Sequence, residues 1–427
     1  MHLSEHEILI GEYKHAAYKP CYWTEQSLRT GGRRQCYKHN FGITSHQCIQ
    51  STSFRGCNIA CSFCWRDVEG RQHSFRNLDA PKEIATELIS SQTDLISRHL
   101  PFALQNHENM VKVTHALAKE PKAISVAEIS SKAEISRMRV KDALNDLKNA
   151  DVVKESPKGR FSLREDLRGS TSTTSTTTID FSRSMIEKLV ASREDIIKVH
   201  LEAANPKHVA ISYDGEPTMY TRLGELIQEF RKKNISTFLV TNGTFPERIV
   251  ELKESGNLPT QLYVTLAAPD KASYFRVCSS VRPFFPVHED HWLRLNSTLQ
   301  LLSTLQCRTV IRITSVRGVN MIDPEGYREI VRKANPDFLE VKGFSISGNA
   351  PRISERLGAT SVGYKEHALM KMALRYAPDH EEMIDFARKI SDDFKIFPLI
   401  SESQVNRQVL MGVSWRGPVE IDFPEEI

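Results

Sequence analysis

The sequence predicts an α/β protein built on a parallel sheet, as a full or partial (β/α) barrel of the TIM type with a small α+β module inserted into it. From Cys48 onward, short apolar runs alternate with amphipathic stretches of helical period, which is the pattern of repeated β/α units. Polar motifs follow directly after three of the predicted strands, where ligand-binding residues of parallel barrels collect. Between about residues 101 and 175 this alternation stops, which indicates the insertion.

The predicted barrel strands are short and rich in β-branched and aromatic residues. In chain order they cover residues 47–54, 208–213, 237–240, 262–266, 309–313, 338–341 and 394–397. After the loop that follows the first strand, Pro81 is expected to open a helix. Apolar residues at helical spacing predict further helices over residues 223–230, 291–305 and 327–334. This number of units suits a full or partial barrel.

The inserted region contains three helix-like segments, at residues 109–120, 126–133 and 136–149, and then a polar hairpin at 152–163. Pro157-Lys158-Gly159 would form the turn of that hairpin. Three helices and a hairpin predict a winged-helix-like module, in which Ser136 begins the helix that would enter a nucleic-acid groove. Acidic residues dilute the basic face of this helix, so a module that only contacts proteins remains a close alternative.

A serine and threonine run at residues 170–178 is too polar to bury a core, and it predicts a flexible linker. The predicted organisation is an N-terminal extension (1–50), the start of the barrel (51–100), the inserted module (101–168), the linker (169–180) and the remainder of the barrel (181–427). No apolar run approaches the roughly 20 residues of a membrane span. Glu5 and Glu7 stand where a signal peptide would be basic and then apolar, so we expect a cytoplasmic protein that does not contact membranes.

The chain contains eight cysteines, of which six lie within the first 64 residues. In a reducing compartment, clustered cysteines more often bind metal or carry out redox chemistry than form disulfides. The net charge of +4 is small, but arginine and lysine are frequent in the first eighty residues, where a polyanionic partner could bind. Metal binding by the N-terminal cysteines is therefore the leading prediction.

Cys57, Cys61 and Cys64 form a C-x3-C-x2-C motif directly after the first predicted strand. Three thiolates at this spacing can bind three irons of a [4Fe-4S] cluster and leave the fourth iron open. The open iron could chelate the amino and carboxylate groups of S-adenosylmethionine (SAM), whose reductive cleavage gives a 5′-deoxyadenosyl radical. The spacing resembles that of radical SAM enzymes. The alternative, a structural zinc site, would need a fourth ligand.

Asp214-Gly215-Glu216-Pro217 follows the second predicted strand. Gly215 would let the backbone approach a ligand closely, and Glu216 could accept a hydrogen bond from the ammonium group of SAM. The motif resembles the Gly-Gly-Glu element of radical SAM proteins, with Asp214 in place of the first glycine. A plain turn at the end of a strand is the alternative.

Thr241 and Asn242 follow the third predicted strand. Because the carboxyl ends of parallel strands share one rim, these residues are expected near the cysteine motif. They are candidates to bind the hydroxyl groups of SAM, and an ordinary turn is an equal alternative.

A second group of cysteines is widely spaced and consists of Cys21, Cys36 and Cys48. These thiols could hold another cluster over the mouth of the barrel, but spacing alone leaves buried free cysteines or a redox pair open. Lys38 is either a solvated lysine or, if desolvated near a cluster, a neutral amine able to form a Schiff base. Cys278 and Cys307 are predicted to be core or incidental residues.

Taken together, these residues resemble the archaeal-type tRNA 4-demethylwyosine synthases, radical SAM enzymes that make the tricyclic core of wyosine bases. The resemblance covers almost the whole chain except the inserted module and its linker. Its segments lie at residues 21, 36–38, 48, 56–66, 208–218, 239–244, 340–343, 401–403 and 407–410.

The resemblance implies two [4Fe-4S] clusters, one that binds SAM on the C-x3-C-x2-C motif and an auxiliary one on Cys21, Cys36 and Cys48. It implies a carbon–carbon lyase that condenses N1-methylguanosine, next to the anticodon of tRNA-Phe, with two carbons of pyruvate. The adenosyl radical would take hydrogen from the N-methyl group, the resulting carbon radical would attack pyruvate, and the carboxylate carbon of pyruvate would be lost. Lys38 occupies the position of the lysine proposed to form a Schiff base in this family. An external electron donor is implied, and we expect a monomer.

A flipped nucleotide has to be held at the barrel. Basic and aromatic residues that could hold the anticodon loop are Tyr22, Trp23, Arg33, Arg34 and Tyr37. Two alternative functions remain open from the sequence. One is a radical SAM enzyme with a different substrate, and the other is a metal-containing regulator that binds nucleic acid.

Overall fold

The computed structural model describes residues 3–68, 72, 74–168, 175–280, 290–358, 366–415 and 417–421. Its strands are, in chain order, β1 Ile8–Ile10, β2 Ala16–Tyr18, β3 Cys48–Thr52, β4 Ile59–Cys61, β5 Ile124–Ser125, β6 Val153–Glu155, β7 Arg160–Leu163, β8 His208–Ile211, β9 Ser236–Thr241, β10 Gln261–Thr265, β11 Cys278–Ser280, β12 Arg308–Ser315, β13 Phe338–Gly343, β14 Leu399–Ser403 and β15 Gln408–Gly412. Its α-helices are α1 Tyr22–Arg29, α2 Pro81–Ala118, α3 Val126–Ala133, α4 Arg137–Asn149, α5 Ser175–Leu189, α6 Arg193–Ala203, α7 Leu223–Arg231, α8 Pro246–Glu254, α9 Lys271–Val277, α10 His291–Leu301, α11 Pro324–Ala334, α12 Ile353–Arg356, α13 Glu366–Ala373 and α14 His380–Ser391.

Ten strands form one sheet in the order β1-β2-β3-β8-β9-β10-β12-β13-β15-β14. The central strands from β3 to β13 run parallel to one another, and antiparallel strands extend the sheet on both sides. The parallel strands follow the chain order, as they do when each strand is connected to the next through a helix. The predicted α/β fold with a mostly parallel sheet is confirmed, and its described strands β1 and β14 lie at two open edges.

The two faces of the sheet differ, because neighbouring residues of a strand point to opposite sides. On the face that packs against helices, the core includes Ile49, Val209, Leu239, Leu262 and Ile311. On the opposite face, a second apolar cluster includes Cys48, Ala210, Phe238, Tyr263 and Val310. This second face, called here the inner face, also carries the polar side chains of the candidate site.

The C-terminal strands differ from the sequence prediction. Residues 394–397 form turns rather than the predicted strand. Asp392, Asp393 and Phe394 have φ values of 51°, 57° and 60°, a left-handed conformation that ends α14 and cannot continue as an extended strand. The chain instead forms β14 and β15, which pair antiparallel and extend the sheet from β13.

The inserted region begins within a helix rather than at a domain boundary. Helix α2 is 38 residues long and continues through Pro101. Ile84 and Leu88 in its first half belong to the main core, whereas Met110 and Leu117 in its second half belong to a separate core. The predicted boundary at residue 101 therefore falls inside one continuous helix. Within the described residues, no helix combines the length and the apolar character needed to cross a membrane.

The separate core joins α2 to α3, α4 and a small sheet of order β5-β7-β6. These elements lie at the residues where the sequence predicts helices and a hairpin. Ser125 and Glu128 form a capping box at the start of α3, and Ser136 caps α4, which satisfies backbone N–H groups at both helix ends. Gly159 has a φ of +66° in the hairpin turn, a conformation that glycine adopts without strain.

The predicted linker differs from the structure in its second half. Residues 169–174 lie outside the described residues, but Ser175 begins helix α5. Met185 and Ile186 of this helix pack into the core of the inserted region, and Thr178 and Ser182 are also buried. Tertiary packing thus overrides the weak helix propensity of threonine and serine.

Candidate active site

The loop that contains Cys57, Cys61 and Cys64 directly follows β3, at the carboxyl end of the parallel strands. Cys57 is buried, whereas Cys61 and Cys64 are partly exposed. The backbone N–H of Cys64 donates a hydrogen bond to the carbonyl oxygen of Cys61 at 3.0 Å. Cys61 and Cys64 therefore lie on one tight turn, and both are more exposed than Cys57.

The arrangement of donors on this loop fits a cluster better than a single metal ion. Among the described residues, no three His, Cys, Asp or Glu side chains converge as ligands of one ion. A zinc site requires such convergence, because its thiolates surround one ion at about 2.3 Å. A cubane cluster does not, because each thiolate binds a different iron. Beside Cys57 and Cys61, the buried hydroxyl of Tyr274 has no hydrogen-bond partner within the described chain, and a bound group could satisfy it.

Asn242 anchors the cysteine loop to the loop that follows β9. Its side-chain amide donates to Asn58 Oδ1 at 2.9 Å and lies 3.9 Å from Cys57 Sγ. Asn242 Oδ1 accepts hydrogen bonds from the backbone and the hydroxyl of Thr244, at 2.9 and 2.6 Å. Asn58 in turn donates to the Thr244 hydroxyl at 2.8 Å. This network fixes Cys57 relative to the carboxyl rim of the sheet.

Glu216 connects the loops after β8 and β9. Its Oε1 accepts from the Thr218 N–H, the Thr218 hydroxyl and the Thr241 hydroxyl, at 3.0, 2.6 and 2.7 Å. Its Oε2 accepts from the Asn242 N–H at 2.7 Å. Burial raises the pKa of Glu216, and the hydrogen bonds from Asn242, Thr218 and Thr241 oppose that shift. The side chains of Thr241 and Asn242 are thus engaged within the protein.

Gly215 makes a close contact with the cysteine loop rather than with open space. Its φ is +69°, and a Cβ at this position would lie 2.0 Å from the carbonyl oxygen of Phe54 and 2.5 Å from that of Gly56. The Glu216 N–H donates to the same Gly56 carbonyl at 2.7 Å. Gly215 therefore makes the expected close approach, but it approaches the backbone of Phe54 and Gly56 and not a ligand. Pro217 begins a short 3₁₀ turn that follows Glu216.

Asp214, which replaces a glycine of the resembled motif, pairs with Arg66. The distance from Arg66 Nη2 to Asp214 Oδ2 is 3.1 Å, and Arg66 also donates to the Tyr213 hydroxyl at 2.5 Å. The Arg66 guanidinium lies 5.4 Å from the ring centre of Trp65. Because Trp65 and Arg66 directly follow Cys64, Asp214 holds the end of the cysteine loop. A cavity of about 340 Å³ opens beside these residues and is also lined by Lys19, Arg55 and Asn349.

The widely spaced cysteines Cys21, Cys36 and Cys48 come together around one lysine. Cys21 caps helix α1, and Cys48 begins strand β3. Burial raises the pKa of Cys48 to about 12, Lys38 lowers it, and Cys36 and Cys21 raise it. Cys48 lies opposite His208, the first residue of β8. The predicted position over the mouth of the barrel is wrong for Cys48, which lies at the amino end of β3, at the opposite end from the C-x3-C-x2-C loop.

Lys38 is buried in this group, with only 8% of its surface exposed. Its Nζ lies 5.6 Å from the ring centre of Phe238 on the inner face. Burial alone would lower the pKa of Lys38, but the negative charge of Cys48, Tyr37 and Cys36 raises it above the ordinary value.

A polar group on β12 and β13 that was not predicted from the sequence lies beside Lys38. Arg312 Nε is 3.0 Å from Glu340 Oε1, and Arg312 donates to the Tyr37 hydroxyl at 2.6 Å. Lys342 Nζ lies 4.7 Å from the Tyr37 ring centre and donates to the Asn406 carbonyl at 3.0 Å. Burial lowers the pKa of Lys342 to about 8, although Glu340 opposes this shift. The sequence signal for this polar group was the charged residues Glu340 and Lys342, at alternate positions of the buried strand β13.

The residues considered for holding an anticodon loop are in different environments. Tyr22 is 47% exposed and contacts Trp23 edge to face at 5.2 Å between ring centres. Arg33 donates to the carbonyl oxygens of Lys188 and Glu187 at 2.7 and 2.9 Å. Arg34 similarly bonds the carbonyl of Asn149. Tyr37 stacks on Arg312 at the inner face. Tyr22 and Arg33 are thus the exposed members of the group, whereas Trp23, Arg34 and Tyr37 are partly buried.

Known proteins that are similar to this chain in sequence and known proteins that are similar to it in fold carry the same family name. Residues 180–331 match the family model of the radical SAM superfamily. The S-adenosyl-L-methionine-dependent tRNA 4-demethylwyosine synthase of Pyrococcus horikoshii is 29% identical over 409 residues, covering 95% of this chain and 86% of its own. The mouse enzyme of the same name is 28% identical over 408 residues, but this chain spans 40% of its length.

Two solved structures share the fold. A structure of TYW1 with a lysine-pyruvate adduct bound has a TM-score of 0.59 at 23% identity, covering 96% of this chain and 95% of its own. A crystal structure of archaeal TYW1 has a TM-score of 0.55 at 21% identity, covering 95% and 93%.

Proposed function

Because the chain belongs to the tRNA 4-demethylwyosine synthase family of radical SAM enzymes, we propose that it condenses N1-methylguanosine in tRNA-Phe with pyruvate to give 4-demethylwyosine. The observation that carries the proposal is that the six N-terminal cysteines form two groups, one at each end of β3. Cys57, Cys61 and Cys64 lie at its carboxyl end, and Cys21, Cys36 and Cys48 at its amino end. The polar inner face lies between them.

The carboxyl-end loop would hold the cluster that binds SAM. When bound, this cluster and SAM supply a 5′-deoxyadenosyl radical, and an external electron donor supplies the electron. Asn242 and Asn58 hold Cys57 in place, and Gly215 and Pro217 allow Glu216 to reach its partners. Oε2 of Glu216 accepts one hydrogen bond from the protein, so it has a lone pair for the SAM ammonium. Thr241 and Asn242 would orient Glu216 and the cysteine loop. Their backbone groups would remain available to the hydroxyl groups of SAM.

The amino-end thiols would hold an auxiliary [4Fe-4S] cluster beside the pyruvate site. Because the raised pKa of Lys38 keeps it as an ammonium group, it would first lose a proton; the amine would then attack the carbonyl carbon of pyruvate, and a Schiff base would form with release of water. A related structure carries a lysine-pyruvate adduct, which supports a lysine in this role. Arg312 and Lys342 on the inner face are cations that could bind the pyruvate carboxylate.

The proposal is tested by an anaerobic assay of purified, reconstituted protein with N1-methylguanosine-containing tRNA-Phe, SAM and a strong reductant. Product that depends on pyruvate supports it. SAM cleavage without tRNA product in the presence of pyruvate would favour a radical SAM enzyme with another substrate. Zinc in place of iron and sulfide, with intact SAM, would favour a metal-containing regulator instead.

The inserted region would form a winged-helix-like module that adds a second tRNA contact. Arg137, Arg139 and Lys141 lie on the exposed side of α4, and Lys154 and Lys158 lie on the exposed hairpin. Within the described residues, none of these five cations is joined to a carboxylate by an ion pair of the kind that holds Arg160 to Glu128. Exposed cations without a close carboxylate partner suit a phosphate backbone.

A triple change tests this contact without cutting helix α2, which runs through the predicted boundary at residue 101. Arg137→Ala, Arg139→Ala and Lys141→Ala together should weaken tRNA binding and reduce the slope of log affinity against log salt by about 0.7–0.9 for each lost phosphate contact. The matched control removes three exposed lysines elsewhere: Lys232, Lys233 and Lys333. Equal effects of the two triple changes would remove the module from tRNA binding.

A further inference from the structure

Cys278, predicted from the sequence to be a core or incidental residue, contacts a thiol of the C-x3-C-x2-C motif. The Sγ atoms of Cys278 and Cys61 are 3.4 Å apart. Cys278 begins β11, which pairs antiparallel with β4, and it lies directly opposite Cys61 in that pair. The Ser62 N–H donates to the Val277 carbonyl at 2.8 Å, which fixes the register on one side. The contact is therefore set by backbone pairing rather than by a flexible side chain.

We propose that Cys278 is a positioning residue for the SAM cluster, because its S–H donates a hydrogen bond to the Cys61 sulfur while that sulfur binds iron. The inference rests on the proposed function, in which Cys61 is a cluster ligand. Cys278 is 1% exposed, so water does not compete for this bond. Two sulfurs in contact cannot each occupy a separate corner of one cubane, so Cys278 is a neighbour of the ligand and not a fourth ligand.

The hydrogen bond has a consequence for the chemistry of the site. Hydrogen bonds to ligating sulfurs help to set the reduction potential of iron–sulfur clusters. A donor favours the reduced cluster, because reduction adds negative charge to the cluster and its sulfurs. Cys278 would thus make the cluster easier to reduce by the external electron donor. A buried thiol that only fills space would have no such effect.

Potentiometric titration followed by electron paramagnetic resonance tests the inference, with the SAM-induced change in the signal identifying the relevant cluster. In Cys278→Ala, which removes the donor, we expect the ratio of reduced to oxidised cluster at a fixed potential to fall several-fold. Cys278→Ser keeps a donor and should restore most of the ratio. The matched control is Cys307→Ala, which removes another cysteine at the amino end of β12 and should leave the ratio unchanged.

An unchanged ratio in Cys278→Ala, with full iron content, would overturn the inference. A wild-type protein that binds no iron would instead overturn the proposed function, so the two failures are distinguishable. If Cys278→Ala does not take up iron, the contact itself is tested in wild-type protein stripped of iron by a chelator. The azo oxidant diamide should remove one hydrogen from each thiol and join Cys61 to Cys278 as a disulfide, found by peptide mass mapping. Absence of that disulfide would contradict the contact and the inference.

Discussion

Arg29 and Asp146 form a buried ion pair, with 2.7 Å between Nη2 and Oδ2 and side chains that are 6% and 1% exposed. Arg29 ends helix α1, whose first turn is capped by Cys21, whereas Asp146 lies on α4 of the inserted region. Asn106 of α2 donates to the same carboxylate oxygen at 2.7 Å. The inserted region is thus tied to the segment that carries Cys21, one of the three cysteines proposed to hold the auxiliary cluster.

Loss of this pair should destabilise the protein and loosen the auxiliary site. Asp146→Ala leaves the Arg29 charge buried, paired with Glu25 and near Asp142 but without its shortest ion pair, and we expect a loss of about 3 kcal/mol in the free energy of unfolding. Because Cys21 caps α1, the variant should also retain less iron at the proposed auxiliary site. Chemical denaturation and iron analysis measure the two effects.

The control for this prediction is Lys148→Ala, which lies on the same helix as Asp146 and breaks an exposed pair with Glu155 of β6. Exposed pairs contribute at most about 1 kcal/mol, so this variant should unfold close to the wild type. Similar losses in the two variants would show that the buried position of Asp146 has no special importance.

Gly215 and Gly256 offer a matched test of backbone contact at the cysteine loop. Both have a positive φ, of +69° and +67°, but a Cβ at Gly256 would meet nothing within 4 Å, whereas one at Gly215 would collide with Phe54. Gly256→Ala should cost about 1–2 kcal/mol from its left-handed backbone alone. Gly215→Ala should cost more and should also displace the cysteine loop, with loss of iron. Retention of iron in Gly215→Ala would contradict the role assigned to this contact.

The sheet could be predicted from the sequence because its parallel strands are continuous apolar runs, such as residues 208–211, that are buried on both faces. The helices and hairpin of the inserted region were predictable for a similar local reason, the spacing of their apolar residues and caps. The prediction of a strand at 394–397 was wrong because Asp392 and Asp393 adopt a left-handed backbone. The pattern of apolar residues does not reveal this conformation.

The site was predictable only in part. The C-x3-C-x2-C motif is local, so its spacing alone pointed to its chemistry. The position of Cys48 at the amino end of β3, the pairing of Asp214 with Arg66 and the contact of Cys278 with Cys61 all join residues that are distant in sequence. Such contacts depend on strand register and loop packing, and a single sequence carries no direct signal for them.

A buried histidine should make the protein less stable in acid. His107 is fully buried, and its Nε2–H donates to the Ala191 carbonyl at 3.0 Å. Burial lowers the pKa of His107, so below about pH 6.5 the unfolded chain binds a proton that the folded protein does not. Stability therefore falls as the pH drops below that value, by at most about 1.4 kcal/mol per pH unit for this one group.

His107→Gln, which removes the titration and keeps an amide donor, should reduce the loss of unfolding free energy between pH 7 and pH 5. Denaturant unfolding at several pH values measures the difference from the wild type. The exposed His367 changed to glutamine serves as the control. An identical pH dependence in His107→Gln and wild-type protein would mean that this histidine does not contribute.

Iron content distinguishes one cluster from two. Reconstituted wild-type protein should bind about eight irons, and Cys21→Ala about four fewer, because a cubane contains four irons. Cys57→Ala should lose the other four and with them the cleavage of SAM. Cys307→Ala should keep all the iron, since Cys307 directly precedes β12 and belongs to neither group of cysteines. Full iron in Cys21→Ala would argue against the auxiliary cluster and leave the SAM cluster unaffected.

Lys38 and Lys342 are the two lysines on the inner face that could bind pyruvate covalently. The resemblance to the synthase family favours Lys38, whereas the pKa of Lys342, lowered to about 8 by burial, provides the larger fraction of neutral amine. We expect reductive trapping with pyruvate and cyanoborohydride to modify Lys38, because Lys38 lies among the auxiliary cysteines. Lys38→Ala should then abolish trapping, and Lys342→Ala should retain it with a higher KM for pyruvate through the loss of a nearby cation. Peptide mass mapping locates the adduct, and its appearance on Lys342 in the wild-type protein would transfer the covalent role to that residue.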